Sequence, residues 1–117
     1  DGGHNPAGGI AVAATLARMP KRPTHLIVGM LNTKDIAGYL LPLAAVADSL
    51  TAVSIPGEAN TLTADETQSA AAKAGIKAGT APSVLSAVET LAARAPTARI
   101  LICGSLYLAG GVLRENG

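Results

Sequence analysis

The stretch HLIVGM, residues 25–30, decides the fold class of this 117-residue chain. Its apolar centre is continuous, with no polar residue alternating through it, which is the pattern of a strand buried on both faces. Pro20 and Pro23 stand ahead of it and end any helix that approaches from the N-terminal side. We therefore predict a strand over residues 25–30 that is covered by other elements on both sides.

Helical and strand-like segments alternate on either side of this strand. A helix is predicted over residues 6–19, because Asn5 is a good N-cap and Pro6 suits the first helical position. The other predicted elements are a helix over 36–46, a strand at 50–55, a helix at 63–73, a short strand at 76–78, a helix at 80–95, a strand at 99–103 and a helix at 106–115. The alternation predicts an open α/β domain, with a mainly parallel sheet and helices on both faces.

Composition limits the classes of protein to which the chain can belong. Its length suits one domain, and the formal net charge of +1 comes from scattered basic residues, so nucleic acid is not an expected partner. No apolar run approaches the roughly 18 residues that span a bilayer, so a membrane is not expected either. The single cysteine, Cys103, cannot form an internal disulfide and is interpreted as a small core residue. We therefore expect a cytoplasmic location.

Polar residues follow the predicted strands, where ligands bind in open parallel sheets. We therefore predict a site at the carboxyl edge of the sheet, formed by Asp1 and His4, by Asn32 to Asp35, by Glu58 and Asn60, and by Gly104 and Ser105.

The opening segment DGGHNPAGG, residues 1–9, has the form of a strand-to-helix turn. It would present free N–H groups at a helix start, where phosphate or carboxylate binds. The strand that should precede it is missing, so we expect the domain to have been cut from a longer chain. There is no Walker A or GxGxxG motif and no metal-ligand spacing.

Three motifs together resemble a known family. DGGHNP at 1–6, GMLNTKD at 29–35 and CGSLYLAGGVLRE at 103–115 are similar to the DGAHNP, GML...KD and GSLYLVGEV segments of folylpolyglutamate synthases and bifunctional dihydrofolate synthases, in the Mur ligase superfamily. The resemblance implies a Rossmann-like C-terminal domain that closes over an N-terminal P-loop domain carrying the folate site. It also implies that ATP, accompanied by Mg²⁺, phosphorylates a carboxylate and that L-glutamate attacks the acyl phosphate.

The resemblance assigns roles to individual residues. Asp1 corresponds to an aspartate that contacts the nucleotide through its ribose hydroxyls, and Asn5 belongs to the same ATP-binding motif. His4 corresponds to a histidine near the phosphates or the incoming glutamate, and Ser105 to a serine near glutamate. His4 and Ser105 are therefore the expected catalytic residues. Lys34 and Asp35 correspond to the family's KD pair and are expected to bind substrate.

The chain departs from the family pattern at three places. Gly3 stands where alanine is usual, and Gly111 stands where an acidic residue is common. The segment IPGEANTL, residues 55–62, lacks the arginine that many members place there, and Glu58 or Asn60 stands instead.

The isolated domain is expected to be inactive, because the P-loop domain is absent from this chain. The sequence leaves two alternatives open. One is a stand-alone module that binds a nucleotide or an amino acid, and the other is a Mur ligase that acts on cell-wall precursors.

Overall fold

The computed structural model describes residues 6–30, 36–54 and 62–104, and for residues 6–8 and 104 it describes the backbone only. In chain order the elements are α1 (Pro6–Arg18), β1 (Thr24–Gly29), α2 (Ile36–Leu40), a 3₁₀ helix (Leu41–Ala45), β2 (Ser49–Ala52), α3 (Ala64–Lys73), β3 (Ala78–Thr80), α4 (Val84–Arg94) and β4 (Arg99–Gly104). Within these ranges no helix is long and apolar enough to cross a bilayer.

The four strands form one parallel sheet in the order β3-β2-β1-β4. This confirms the prediction of an α/β fold with a parallel sheet. The chain steps from β1 to β2 to β3 in one direction and then returns through α4 to place β4 on the other side of β1. Strand β1 thus lies in the interior of the sheet, as the continuous apolar run at its centre predicted.

Both faces of the sheet are covered by helices, and successive residues of β1 serve opposite faces. Leu26 and Val28 pack with residues of α1, α2, the 3₁₀ helix and α3, whereas Ile27 packs against α4. All three are fully buried. The core on the first face includes Leu16, Tyr39, Leu43, Leu50, Ala71 and Cys103, and the core on the second includes Val53, Ala87 and Leu91.

Local capping signals set the start of α3 as predicted. Thr63 accepts a hydrogen bond from the Glu66 backbone N–H at 3.1 Å, and the Thr63 N–H donates to the Glu66 carboxylate at 2.9 Å. This reciprocal pair is a capping box, which satisfies two N–H groups that have no partner inside the helix. The helix runs to Lys73, where the sequence pattern predicted its end.

The predicted helix over residues 36–46 was wrong in its type and length. The α-helix ends at Leu40, and the chain continues as a 3₁₀ helix that contains Pro42. Proline lacks an N–H and its ring clashes with the carbonyl four residues earlier, so an α-helix cannot continue through it.

The fourth helix was predicted to begin too early, and two strands were misplaced by a few residues. Helix α4 begins at Val84, because the Ser83 hydroxyl caps it by accepting from the Ser86 N–H at 3.0 Å. Thr80 instead ends β3, which lies at Ala78–Thr80 rather than 76–78. Strand β2 covers Ser49–Ala52 rather than beginning at Leu50. The predicted helix at 106–115 lies outside the described residues.

Candidate functional site

The carboxyl ends of three strands meet at one edge of the sheet. Gly29 of β1 pairs with Gly104 of β4, and Val28 pairs with Ala52 of β2. Residues 31–35, 55–61 and 105–117 continue the chain from these strands. Three of the four segments in which the sequence analysis placed polar site residues therefore leave the sheet from the edge where it predicted a site. The fourth, residues 1–5, leads into α1.

Backbone hydrogen bonds hold this edge together. The Val53 N–H donates to the Val28 carbonyl at 3.0 Å, and the Leu62 N–H donates to the Met30 carbonyl at 2.8 Å. The hydroxyl of Ser54, the last described residue after β2, accepts from the Ala64 N–H at 3.1 Å, where α3 begins. The chain that leaves β2 thus returns to the end of β1 before entering α3.

The first turns of α1 pack against α2 through a glycine. A Cβ built on Gly9 would overlap the carbonyl oxygen of Tyr39 and lie 2.9 Å from its carbonyl carbon. Only a residue without a side chain allows this approach. The close contact brings together the two helices that follow residues 1–5 and 31–35, which are the segments carrying the opening motif and the Lys34–Asp35 pair.

The residues predicted to do the chemistry lie just beyond these supports. Each of them is in a segment outside the described residues, so its role stays a prediction: Asp1, His4, Asn5, Lys34, Asp35 and Ser105. The same holds for Glu58 and Asn60. What the structure establishes is where their segments join the fold, which is the start of α1 for residues 1–5 and the carboxyl edge of the sheet for the others.

Cys103 and Tyr39 form a buried pair beneath this edge. Burial raises the pKa of the Cys103 thiol from 9.0 to about 11, while the neighbouring Tyr39 side chain lowers it in part. Cys103 is 5% exposed, and with this raised pKa its thiol is protonated at neutral pH. It is therefore a poor nucleophile, in agreement with its interpretation as a core residue.

Tyr39 was not recognised from the sequence as a support of the site. It is fully buried, and it links α2 both to Gly9 of α1 and to Cys103 of β4. The signal that could have found it is compositional, because a chain with only two aromatic residues has few side chains able to span several elements.

Alkaline pH is expected to destabilise the fold through Cys103. The folded pKa lies above the ordinary one, so the unfolded thiol ionises first, and the stabilisation is intact below about pH 9 and lost as the pH rises toward 11. Between about pH 8 and about pH 10 this thiol accounts for at most roughly 1.4 kcal/mol of unfolding free energy. Urea unfolding at both pH values should show that Cys103→Ser and Cys103→Ala lose less unfolding free energy between the two pH values than the wild type does. Equal losses in all three proteins would contradict the assignment.

The second histidine of the chain, His25, lies away from the candidate site. It is half-buried near the amino end of β1, with its Nδ1 atom 2.6 Å from the Ser49 hydroxyl. The described residues contain no group of three or more His, Cys, Asp or Glu side chains that could hold a metal ion.

The amino edge of the sheet carries a polar network of its own. The Thr24 N–H donates to the Asp48 carboxylate at 2.7 Å, and the Arg99 guanidinium donates to the Pro20 carbonyl at 2.9 Å. The Arg22 guanidinium donates to the Thr97 carbonyl at 2.8 Å. These bonds tie the connections before β1, β2 and β4 together at the end of the sheet opposite the candidate site.

Solved structures with the same fold belong to folylpolyglutamate synthases. The Mycobacterium tuberculosis folylpolyglutamate synthase complexed with ADP and AMPPCP is 29% identical, with a TM-score of 0.73 over 85% of this chain and 25% of that one. E. coli FolC in complex with DHPP and ADP is 28% identical, with a TM-score of 0.75 over 96% of this chain and 26% of that one. The Yersinia pestis bifunctional folylpolyglutamate synthase/dihydrofolate synthase complexed with AMPPNP and a Mn ion is 25% identical, with a TM-score of 0.76 over 96% and 26%.

The chain thus spans about a quarter of the length of these structures. No curated protein matches it. The model of the family described as Mur ligase, glutamate ligase domain, matches residues 1–106, which is most of the chain. Together with the parallel sheet, this match shows that the chain belongs to the Mur ligase family, as a glutamate ligase domain.

Proposed function

We propose that this chain is the C-terminal domain of an ATP-dependent ligase that adds L-glutamate to a folate. The observation that carries the proposal is the similarity to folylpolyglutamate synthases at 28–29% identity over 85–96% of the chain. The three motifs of the sequence analysis support it as well, because they occur in the family's order, and two of them continue the chain from one edge of the sheet. The proposed location is the cytosol, where the single thiol of this chain stays reduced.

The proposed reaction has two steps. A carboxylate oxygen of the folate attacks the γ-phosphorus of ATP, and ADP leaves, so that an acyl phosphate forms. The amino nitrogen of L-glutamate then attacks the acyl carbon, phosphate leaves and the nitrogen loses a proton, which yields an amide. Mg²⁺ is proposed to enter on the phosphates, which supply oxygen ligands of the kind it prefers. The Yersinia pestis relative, whose structure holds AMPPNP and a Mn ion, is consistent with this.

The contribution of this domain is to bind and orient. We propose that Asp1 accepts hydrogen bonds from the ribose hydroxyls of ATP, with Asn5 beside it at the start of α1. His4 is proposed to contact the phosphates or the incoming glutamate, and Ser105 to contact glutamate. Holding reactants in a fixed geometry lowers the entropic part of the barrier, which is the work that a closing domain does.

Lys34 and Asp35 are proposed to contact substrate from the segment between β1 and α2. A lysine ammonium there would pair with a carboxylate or phosphate, both of which the reaction contains. The pair is separated from the buried Met30 by only three residues, and the Met30 carbonyl is held by the Leu62 N–H. Ile36, which follows the pair, packs against the core. Because the residues on both sides of the segment are held, less conformational entropy is lost when a ligand binds, which supports a binding role.

The rest of the ligase is proposed to precede this chain. The relatives are about four times longer than the part that this chain matches, and no Walker A motif occurs in the 117 residues. A preceding P-loop domain would supply the ATP cradle and most of the folate contacts. The isolated 117-residue chain is then expected to be inactive, even when it is folded.

A substrate panel tests the proposal. The full-length ligase and the isolated chain are each given ATP, Mg²⁺ and L-glutamate with dihydropteroate, tetrahydrofolate or a muramyl peptide, and phosphate release is measured. We expect the full-length protein to release phosphate with a pterin substrate, and the isolated chain to release none. Turnover of the muramyl peptide alone would instead identify a cell-wall ligase, and turnover by the isolated chain would contradict the two-domain proposal. If the protein binds the nucleotide but turns over none of the substrates, the remaining interpretation is a stand-alone binding module.

A further inference from the structure

A groove of about 730 Å³ lies beside α4 on the second face of the sheet. On this face α4 packs on Ile27 of β1 and on Ile100 and Ile102 of β4, and the groove opens next to it over β2 and β3. Small-molecule sites typically enclose about 300 to 1,000 Å³. The groove is therefore large enough to hold a small ligand.

The floor of the groove is polar because the side chains of β2 alternate. Leu50 is buried in the core on the first face, whereas Thr51 points toward α4 and lines the groove. Thr90 of α4 lines the facing wall. The Ser49 hydroxyl lies beside them and is engaged by the His25 Nδ1 atom at 2.6 Å, which leaves the Thr51 and Thr90 hydroxyls to meet a ligand.

The described residues that line the groove include two cations and one carboxylate. Lys77 directly precedes β3, Arg94 ends α4, and both side chains are exposed. The carboxylate belongs to Asp48, and it accepts a hydrogen bond from the Thr24 N–H at 2.7 Å. The charges in the lining therefore favour an anionic ligand over a cationic one.

Basic residues that are scattered in the sequence are brought together at this end of the sheet. Helices α1, α3 and α4 each have a basic residue in the last turn, and each ends where the chain turns to enter a strand. All seven basic residues of the described ranges therefore lie at the amino end of the sheet: Arg18, Lys21, Arg22, Lys73, Lys77, Arg94 and Arg99. Of the described acidic residues only Asp48 lies there, since Asp65 and Glu66 begin α3 at the other end and Glu89 lies in the middle of α4.

Compensation of the helix dipoles does not account for all of this charge. The C-terminus of a helix carries a partial charge of about −0.5, so three helix ends and Asp48 together offset roughly 2.5 of the seven cationic charges. Lys77 lies beyond the end of α3, outside the last turn in which a cation stabilises the helix. The surplus positive charge raises the local concentration of small anions at this end of the sheet.

We propose that this groove binds a small molecule that carries a phosphate or carboxylate group. Lys77 and Arg94 hold the anionic group, because ammonium and guanidinium groups form charge-assisted hydrogen bonds with such oxyanions. The Thr51 and Thr90 hydroxyls bond to the other polar groups of the ligand. This second ligand site lies at the end of the sheet opposite the candidate site, so it does not depend on which substrate the ligase uses.

Labelling of lysines on the full-length ligase tests the proposal. The protein is treated briefly with acetic anhydride in sodium chloride, sodium phosphate or sodium succinate at one ionic strength, and the labelling rate of each lysine is measured by mass spectrometry. Phosphate or succinate is expected to slow the labelling of Lys77 about 10-fold once the anion reaches roughly ten times its Kd. Lys21, which is also exposed but lies outside the groove, should be labelled at an unchanged rate.

The comparison of the three salts decides between specific binding and general screening. The anion that protects Lys77 shows whether the groove takes a phosphate or a carboxylate. Equal slowing at Lys77 and Lys21 would overturn the proposal, because the anions would then act on the whole positive edge. The same rate at Lys77 in all three salts would overturn it as well.

A charge-matched pair of substitutions tests the site itself. Arg94→Gln removes a cation from the groove, whereas Arg18→Gln removes one from the same end of the sheet but outside the groove. Each is an exposed residue in the last turn of a helix, so the two losses of dipole stabilisation are similar. Arg94→Gln is expected to weaken the protection of Lys77 by roughly 10-fold in anion concentration, and Arg18→Gln by less than about twofold. Equal weakening by both would overturn the proposal. Neither experiment measures catalysis, so a ligase with another substrate would leave both results unchanged.

Discussion

Replacing His4 by alanine in the full-length ligase is expected to lower kcat for glutamate addition by on the order of 100-fold. An imidazole near the reacting phosphate or amine contributes a hydrogen bond or a proton transfer at the moment when charge develops. Ser105→Ala should lower the use of glutamate in the same assay, because the serine hydroxyl is proposed to contact that substrate. Initial rates with varied ATP and varied glutamate separate the two effects.

Asp1→Ala is expected to raise the KM for ATP by roughly 10-fold to 100-fold, with a smaller effect on kcat. The proposed bonds from the ribose to the carboxylate are present both in bound ATP and in the transition state, so their loss weakens binding at both stages. Removal of one hydrogen bond to a charged group costs about 1.5 to 3 kcal/mol, which is the basis of the range.

His25→Ala is the matched control for His4→Ala. It removes an imidazole from the amino end of β1, where the ring contacts Ser49 and not the carboxyl edge. Its kcat is expected to stay within about twofold of the wild type. Wild-type kinetics for His4→Ala, Ser105→Ala and Asp1→Ala together would show that the opening motif and the segment after β4 do not form the site.

Gly9→Ala is expected to destabilise the domain by about 1 to 3 kcal/mol. In most helices this substitution is favourable by roughly 0.5 to 1 kcal/mol, because glycine loses more backbone entropy than alanine. Here the new methyl group would overlap the carbonyl oxygen of Tyr39, which is part of the backbone and cannot rotate away. Helices α1 and α2 would have to separate, and the core around the fully buried Tyr39 ring would loosen.

Urea unfolding followed by circular dichroism measures this loss. Gly79→Ala is the matched control, because a Cβ at Gly79 of β3 meets nothing within 4 Å and the backbone there is extended. The control should be neutral or slightly stabilising. A Gly9→Ala domain as stable as the wild type would mean that the contact between Gly9 and Tyr39 does not hold the two helices together.

Much of the fold could be predicted because its signals are local. The capping box of Thr63 and Glu66 lies within one helical turn, and the apolar run of β1 needs no distant partner to be recognised. The mistakes arose where two local signals competed. Pro42 ended an apolar pattern that otherwise continued as a helix, and the Ser83 cap moved the start of α4 past Thr80. In both cases the backbone geometry of a single residue outweighed the apolar spacing.

The edge of the sheet from which the candidate segments leave could be predicted for a different reason, whereas the roles of the site residues stay predictions. The site's residue types and spacing occur in continuous segments of sequence, and the carboxyl-edge rule for parallel sheets places those segments together without knowledge of the strand order. Tyr39 could not be found in this way, because its role depends on contacts with Gly9 and Cys103, which are 30 and 64 positions away in the chain.

The sequence by itself determined the α/β class, the parallel sheet and the motifs of a glutamate ligase domain, because each of these follows from residues close together in the chain. Only the tertiary structure decided the order β3-β2-β1-β4 of the described strands and the close approach of α1 to Tyr39. These features depend on which distant segments pack together. That choice is made by burial, steric fit and crossover handedness acting on the whole chain, and no local pattern records it.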